Sequence, residues 1–487
     1  MAVTAKRPSF SNEYICLPLQ GIFLKCTFLM AFFKAESYKK GIFTSSAFNV
    51  ASRLIAFVQQ WLIMYYFGTN SGTDVYFFIY NITLYVGFFF LNMTTSALIP
   101  ESIKLKKSKG ENSSMAFMNA FFYIYGVIGL VIVGLLNIET GSIIGSISSF
   151  SQDVIVTNTT LIKWCIPLIF LNILIQLLTE TMASYKFFTI PNMVTAINSL
   201  LGVIFFMLFH KELGLPAIVM GLILGCIFNL IAVMYLMKKH LGWNFLNISF
   251  ANIKGVLGSG MYSQLGYIVY TVALFLPQYF FSQFSEGSLT AMNYADKLVS
   301  IPGIFLIAQL TNVMAIKYNN LVSSNDSKGV SEITSKLLIY VSGGLFVVAL
   351  LVGLCSDWIV DLLFGFGKVS QESLKLTSNL LLLMILVLPF SFAYNLFIRI
   401  LNAYKKQNIV LLMQIGNYGS VLILYYYFIP QYGALSFPVL RLIPFVVVPF
   451  VILPVIKCYC PELKLAKLCA VFVSLTVLSW VFALLCL

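Results

Sequence analysis

Apolar residues recur along this chain in runs whose length a bilayer would set. From Ile42 to Leu487, stretches dominated by Leu, Ile, Val, Phe and Ala alternate with short polar connections. One helix needs roughly 20 apolar residues to cross a hydrocarbon core. The runs predict an all-α integral membrane protein of about 13 transmembrane helices, at 42–67, 75–100, 116–138, 159–182, 193–210, 217–237, 261–284, 288–316, 337–364, 376–400, 408–429, 434–456 and 468–486. The connections leave no room for a second, soluble domain. Residues 1–40 break the pattern: the apolar stretch Tyr14–Phe33 is interrupted by Lys25 and followed by Lys34, Lys39 and Lys40. No small-residue cleavage site of the kind a signal peptide carries is visible, so this segment reads as a cytoplasmic or interfacial extension.

Composition sharpens the class. The chain is 60% hydrophobic and 10% charged, against roughly 25% charged in a soluble domain. The formal charge of +13 could suggest nucleic acid, but its placement explains it as topology. With the N-terminus in the cytoplasm, the loops after even-numbered segments carry about 17 cations, among them Lys104, Lys106, Lys107, Lys109, Lys238, Lys239, Lys405 and Lys406, as the positive-inside rule expects. The opposite loops hold Lys211, Lys368 and Lys375. A multi-pass protein of the inner membrane, with the bilayer as its partner, follows; nucleic-acid binding is not needed. The nine cysteines are scattered, and His210 and His240 stand apart, so no metal site or cofactor is expected.

The chain also echoes itself. Ala183-Ser184-Tyr185-Lys186 follows the fourth segment and Asn402-Ala403-Tyr404-Lys405 the tenth. At an offset of about 219 residues, Tyr185, Lys186, Ile190, Asn198 and Gly214 meet Tyr404, Lys405, Ile409, Asn417 and Gly433. Two six-helix lobes of the same topology are expected, 41–240 and 255–456, with 457–487 as an extra C-terminal helix. Parallel repeats of this kind rock about a central site in transporters.

Four basic residues fall within predicted segments: Arg53, Lys163, Lys297 and Arg441. A charge at mid-bilayer costs at least ~2.5–3.5 kcal/mol, so such residues face a partner or a wet cavity. Arg53 sits in the middle of the first segment, and Lys297 follows Asp296 in the eighth. Two readings are open. Asp296 could form a structural ion pair with Arg53 or Lys297, or the cations could line a cavity for an anionic headgroup, since the arginine fork suits phosphate. Ser263 and Gln264 in the seventh segment, with Asn81 and Asn92 in the second, could add neutral donors or simply join helices. Lys163 and Arg441 lie near outer ends and are expected to snorkel. The carboxylates that could carry a coupling ion, H+ or Na+, are Glu180, Asp296, Asp357 and Asp361; three of these lie near a membrane face.

Several stretches resemble a known family. Ser52-Arg53-Leu54-Ile55-Ala56-Phe57, then Phe67-Gly68, then Thr73-Asp74-Val75-Tyr76-Phe77-Phe78, resemble the start of the MviN/MurJ flippases. Tyr294-Ala295-Asp296-Lys297-Leu298 with Pro302 is similar to that family's eighth-helix motif, and Leu363-Phe364-Gly365-Phe366-Gly367-Lys368 to its loop after the ninth. The resemblance implies a V of two six-helix lobes around a central cavity, within the multidrug/oligosaccharidyl-lipid/polysaccharide exporter superfamily. It implies flipping of a polyprenyl-diphosphate-linked saccharide from the cytoplasmic to the outer leaflet by alternating access. It places Arg53 and Lys297 at two cationic positions of a cavity that holds the diphosphate, and Asp74 at an acidic one. The chain departs from the family at Gln59, Gly87 and Phe88, where cations are usual, and in having one extra C-terminal helix rather than two. A less cationic cavity suits an O-antigen or exopolysaccharide unit as well as a lipid II-like peptidoglycan precursor. Two other functions would suit a protein of this class. A drug or cation exporter would want a buried carboxylate rather than a net positive cavity. A membrane glycosyl polymerase would want a large outer loop with acid/base residues, whereas 139–158 offers Glu139 and Asp153.

Overall fold

The computed structural model describes residues 38–250 and 253–486. The extension expected over 1–40 falls outside them except for its last three residues, which open the first helix. Thirteen long helices run through the described residues: α1 (Tyr38–Phe67), α2 (Ser71–Lys109), α3 (Glu111–Ile138), α4 (Thr159–Ser184), α5 (Thr189–Leu213), α6 (Pro216–Leu241), α7 (Ile253–Phe281), α8 (288–323), α9 (Ser327–Leu354), α10 (Gln371–Ala403), α11 (Gln407–Tyr432), α12 (Ser436–Tyr459) and α13 (Leu465–Cys486). Ten of them are long and apolar enough to cross a membrane. The other three, α1, α7 and α8, bear polar residues of the candidate site.

One segment differs from expectation. The apolar run 337–364 is not one helix: α9 ends at Leu354, and after Cys355 the short helix Ser356–Phe364 takes a new course. It carries Asp357 and Asp361, which a helix continuing within the bilayer would have had to bury.

Packing follows one scheme twice. In the first half α1 packs on α5, α5 on α6, α6 on α4, and α4 on both α2 and α3; in the second, α7 packs on α11, α11 on α12, α12 on α10, and α10 on both α8 and α9. Backbone turns repeat with the packing. Lys186 and Lys405 both take the left-handed conformation, at φ 66° and 58°. Both close a helix by the same pair of bonds: Phe187 N–H donates to Met182 O and Lys186 N–H to Ala183 O, as Lys406 N–H does to Leu401 O and Lys405 N–H to Asn402 O. This is a Schellman stop at a residue that usually avoids it. Gly214 and Gly433, and also Gly68 and Gly287, have positive φ at that same offset. The weak echo in the sequence is therefore a repeat of backbone geometry.

Leu208, Ile231, Leu351, Ile423, Val451 and Leu484 are exposed, as lipid-facing side chains should be. Polar backbone stays inside helices, the condition for crossing hydrocarbon. α2 and α8 each contain a π-helical segment, Thr94–Leu98 and Gly303–Ala308, the second directly after Pro302. Proline removes a ladder donor there and the wider turn accommodates the loss.

Candidate functional site

The two halves meet at the end where α1 gives way to α2. Asn70 caps α2 with a capping box, its side chain accepting from Thr73 N–H at 2.9 Å. One turn on, Asp74 is buried and crosses to the other half. It accepts from the backbone N–H of Gly287 at 2.7 Å, from that of Thr290 at 2.8 Å, and from the Thr290 hydroxyl. A carboxylate thus caps the first turn of α8, where unsatisfied donors and the helix dipole favour negative charge. The exchange is reciprocal: Glu286, just before α8, accepts from Ser71 N–H at the start of α2 at 2.6 Å.

Close backbone contacts complete this seal. Trp61 Nε1 donates to Leu363 O at 2.7 Å. Gly68, at φ 70°, lies against the Lys368 carbonyl with no room for a Cβ, and a Cβ on Gly367 would stand 2.8 Å from Met64 O. Farther in, Phe77 meets Tyr294 edge to face at 5.4 Å and Asn81 Nδ2 donates to Asn293 Oδ1 at 2.6 Å, both joining α2 to α8. On the other side α2 stays joined to α7, where Asn92 Nδ2 donates to Gln264 Oε1 at 2.9 Å and Gln264 Nε2 to Phe89 O at 3.0 Å.

The cations lie beyond the seal. Arg53 is exposed on α1; its Nε donates to Asn49 Oδ1 at 2.7 Å, and its terminal nitrogens have no hydrogen-bond partner among the described residues. Lys297 is half-buried on α8, and its charge feels Asp296 and Arg53. Asp296 pairs with neither of them. Its Oδ1 stands 3.4 Å from Arg441 Nη1 on α12. This corrects two expectations at once: the ion pair is made with a third cation, and Arg441 turns inward instead of snorkelling. Nothing in the sequence pattern couples these two residues, because their contact depends on where packing within the second half sets α8 and α12.

Not every expected site residue joins this group of charges. The resemblance puts Asp74 at the substrate, but it is buried with its oxygens engaged by α8, a structural task. Asn81 and Gln264 likewise spend their side chains joining helices. The side chain of Ser263 lies outside the described residues. The departures from the family are consistent with the packing: Gly87 faces Gln176 of α4, with 2.8 Å between a would-be Cβ and Gln176 Nε2, and Gln59 is buried. The structure therefore brings together Arg53, Asp296 and Lys297, and adds Arg441.

Fold and hydropathy define a polytopic membrane protein. The architecture matches a solved multidrug MATE-family transporter of the MOP superfamily in an inward-facing conformation, with TM-score 0.68 and 12% identity over 86% of this chain and 95% of that one. It also matches a solved structure described as lipid II flippase MurJ, inward closed conformation, with TM-score 0.75 and 17% identity over 90% of this chain and 91% of that one. The chain belongs to the MurJ lipid II flippase family, whose model, described as Lipid II flippase MurJ, matches residues 63–486. Among relatives, the probable lipid II flippase MurJ of Aquifex aeolicus is 24% identical over 415 residues, covering 80% of this chain and 78% of its own. The protein of the same description from Buchnera aphidicola of Acyrthosiphon pisum is 24% identical over 361 residues, covering 70% and 68%. The family is one of transporters, not enzymes, and the chain is a multi-pass membrane protein.

Proposed function

We propose that this chain flips a polyprenyl-diphosphate-linked saccharide, lipid II or a close chemical relative, from the basic face of the membrane to the opposite leaflet. The observation that carries the reading is the placement of the cations relative to the contact that joins the two halves. The halves are joined at one end by the reciprocal caps of Asp74 and Glu286, while exposed Arg53 and half-buried Lys297 lie beyond that contact, toward the loops rich in lysine. That basic face would be the cytoplasmic one, with the N-terminus on it. A diphosphate needs donors that stay charged at any physiological pH, and Arg53 offers free guanidinium nitrogens for it.

Transport follows from differential binding: substrate shifts the balance between sealed and open ends only by its different affinity for the two states. The six-helix units 41–240 and 255–456 would be the moving bodies, with the lipid tail left in the bilayer between them. The energy source is membrane potential acting on the site's charges, worth ~2.3 kcal/mol per charge per 100 mV, or a coupling H+ or Na+. Glu180, half-buried in α4, is the candidate carboxylate for such an ion. The family's description favours lipid II over an O-antigen or exopolysaccharide unit.

The test is reconstitution into liposomes with fluorescent polyprenyl-diphosphate sugars and a leaflet-access assay, comparing wild type with Arg53→Ala. Translocation that collapses in the variant supports both the function and the phosphate role. Translocation that survives removes Arg53 from the site, and absence of translocation by the folded wild-type protein defeats the reading.

A further inference from the structure

Arg441 has no assigned part in this transport, yet its surroundings resemble a binding site more than a structural ion pair. Arginine normally grips a carboxylate through two short parallel bonds of about 2.7–2.9 Å. Here one guanidinium nitrogen stands 3.4 Å from one oxygen of Asp296, and the two side chains remain 29% and 52% exposed. The guanidinium is thus steered by the carboxylate without being saturated by it. Its remaining electrostatic neighbours are tyrosines: Tyr270 of α7, with Tyr418 and Tyr425 of α11. Tyr85 of α2, from the other half, also feels both Asp296 and Arg441. Phenol hydroxyls can donate to phosphate or sugar oxygens.

The charge balance points the same way. Asp296 is followed in α8 by Lys297, which feels Arg53 of α1. Among the described residues, Asp296 is the carboxylate that Lys297 and Arg441 feel, and Arg53 adds a third cation beside Lys297, so two positive charges are in excess. A structural pair inside a membrane protein should approach neutrality. A site for a diphosphate should instead hold an excess of this size and sign.

We propose that Arg441 is a third cation of the diphosphate site, held ready by Asp296 as a resident counter-anion that the incoming diphosphate displaces. α12 thereby joins α1 and α8 in gripping the headgroup. The inference rests on the diphosphate reading above and deepens it. Asp296 keeps Arg441 oriented and partly neutralised while the cavity is empty, and gives way to a ligand that can take both arms of the fork.

The test uses the full-length protein in nanodiscs and undecaprenyl diphosphate without sugar as the probe, with thermal unfolding recorded for each variant. Arg441→Gln is expected to weaken binding by roughly tenfold to a hundredfold, the size of a lost hydrogen bond to a charged group. Asp296→Asn is expected to tighten it, because a competitor for the same guanidinium is removed. A structural ion pair predicts the opposite sign for Asp296→Asn: both variants then lose affinity and thermal stability together. Wild-type binding with unchanged affinity in Arg441→Gln, or with Asp296→Asn equal to or weaker than wild type, overturns the inference and leaves the diphosphate reading standing. If Arg441→Gln does not fold, the sign of the Asp296→Asn change decides alone. Failure of the wild-type protein to bind any polyprenyl diphosphate overturns the diphosphate reading, and this inference with it.

Discussion

Replacing Asp74 by Asn should loosen the sealed end without emptying the core. Asp74 is 4% exposed and accepts two backbone N–H groups, at 2.7 and 2.8 Å, together with the Thr290 hydroxyl. An amide retains one acceptor oxygen but points an NH2 at the second backbone donor. The variant loses one charge-assisted bond, worth about 1.5–3 kcal/mol, and the attraction of a carboxylate for the α8 dipole, about 0.3–1 kcal/mol. Against this, a neutral amide is cheaper to bury than a carboxylate. A net loss of about 2 kcal/mol is a reasonable centre, which at 1.4 kcal/mol per tenfold is roughly a thirtyfold shift toward the unsealed state. Thr69 lies in the seal, its Cβ 2.9 Å from where a Cβ on Gly287 would stand. A Thr69→Cys reporter in a cysteine-free background should therefore react with a membrane-impermeant maleimide faster in Asp74→Asn by a factor of this order. Equal labelling rates, with both proteins folded, would refute the claim that these bonds hold the halves together.

Two further predictions follow from the same geometry. Gly68→Ala combines the strain of φ 70° with a collision against the Lys368 backbone carbonyl, whereas Gly110→Ala meets the strain of φ 88° with nothing within 4 Å. At φ 88° and ψ 173° Gly110 occupies a region essentially reserved for glycine, costing another residue about 1–3 kcal/mol, so its variant should lose that much stability in a thermal scan and label normally at residue 69, while the Gly68 variant should also label fast. At the surface, the Ser378 hydroxyl and the Lys375 ammonium hold Asp357 below the usual carboxylate range. The stability this gives is present above the unfolded-state pKa and lost as pH falls through the depressed one. Because the Asp357 side chain is 69% exposed, solvent screens the pair to about 0.5 kcal/mol or less, so Lys375→Ala should reproduce the wild-type acid-unfolding curve; a large shift would mean the pair is shielded by something beyond this chain.

Helix number and order were legible because hydrocarbon imposes the same demand on every spanning segment, an apolar run of the same length. The repeat was legible at Tyr185-Lys186 and Tyr404-Lys405 because an unusual backbone turn selects its own short motif. Arg53 and Lys297 stood out for the cost of their placement. The rest was hidden for a common reason. Asp74 acts on backbone N–H groups of Gly287 and Thr290, and backbone donors have no residue identity to read. Arg441 reaches Asp296 only through the packing of α12 against its neighbours, so its distance from the predicted helix end suggested snorkelling. The break at Cys355 was masked by an apolar run that continues through it, although Asp357 and Asp361 mark where a single helix would have become too costly.

The placement of these groups along α8 suggests how binding would reach the seal. Gly287 and Thr290, which Asp74 caps, sit at its first turn, and Asp296 with Lys297 follows about two turns later, roughly 10 Å along the axis at 1.5 Å per residue. The π segment Gly303–Ala308 and Pro302 come after both. The seal and Lys297 therefore share one regular stretch of helix, Ser288–Pro302, with the irregular turn beyond it. A rigid stretch cannot tilt at Lys297 without tilting at Thr290. On the proposed reading, a headgroup drawing Lys297 toward Arg53 would strain the Asp74 bonds, at a cost comparable to the few kcal/mol that a well-bound diphosphate can supply. If so, Asp74→Asn should raise substrate affinity less than it raises labelling at residue 69, because the freed seal favours the unsealed state whether or not the cavity is filled.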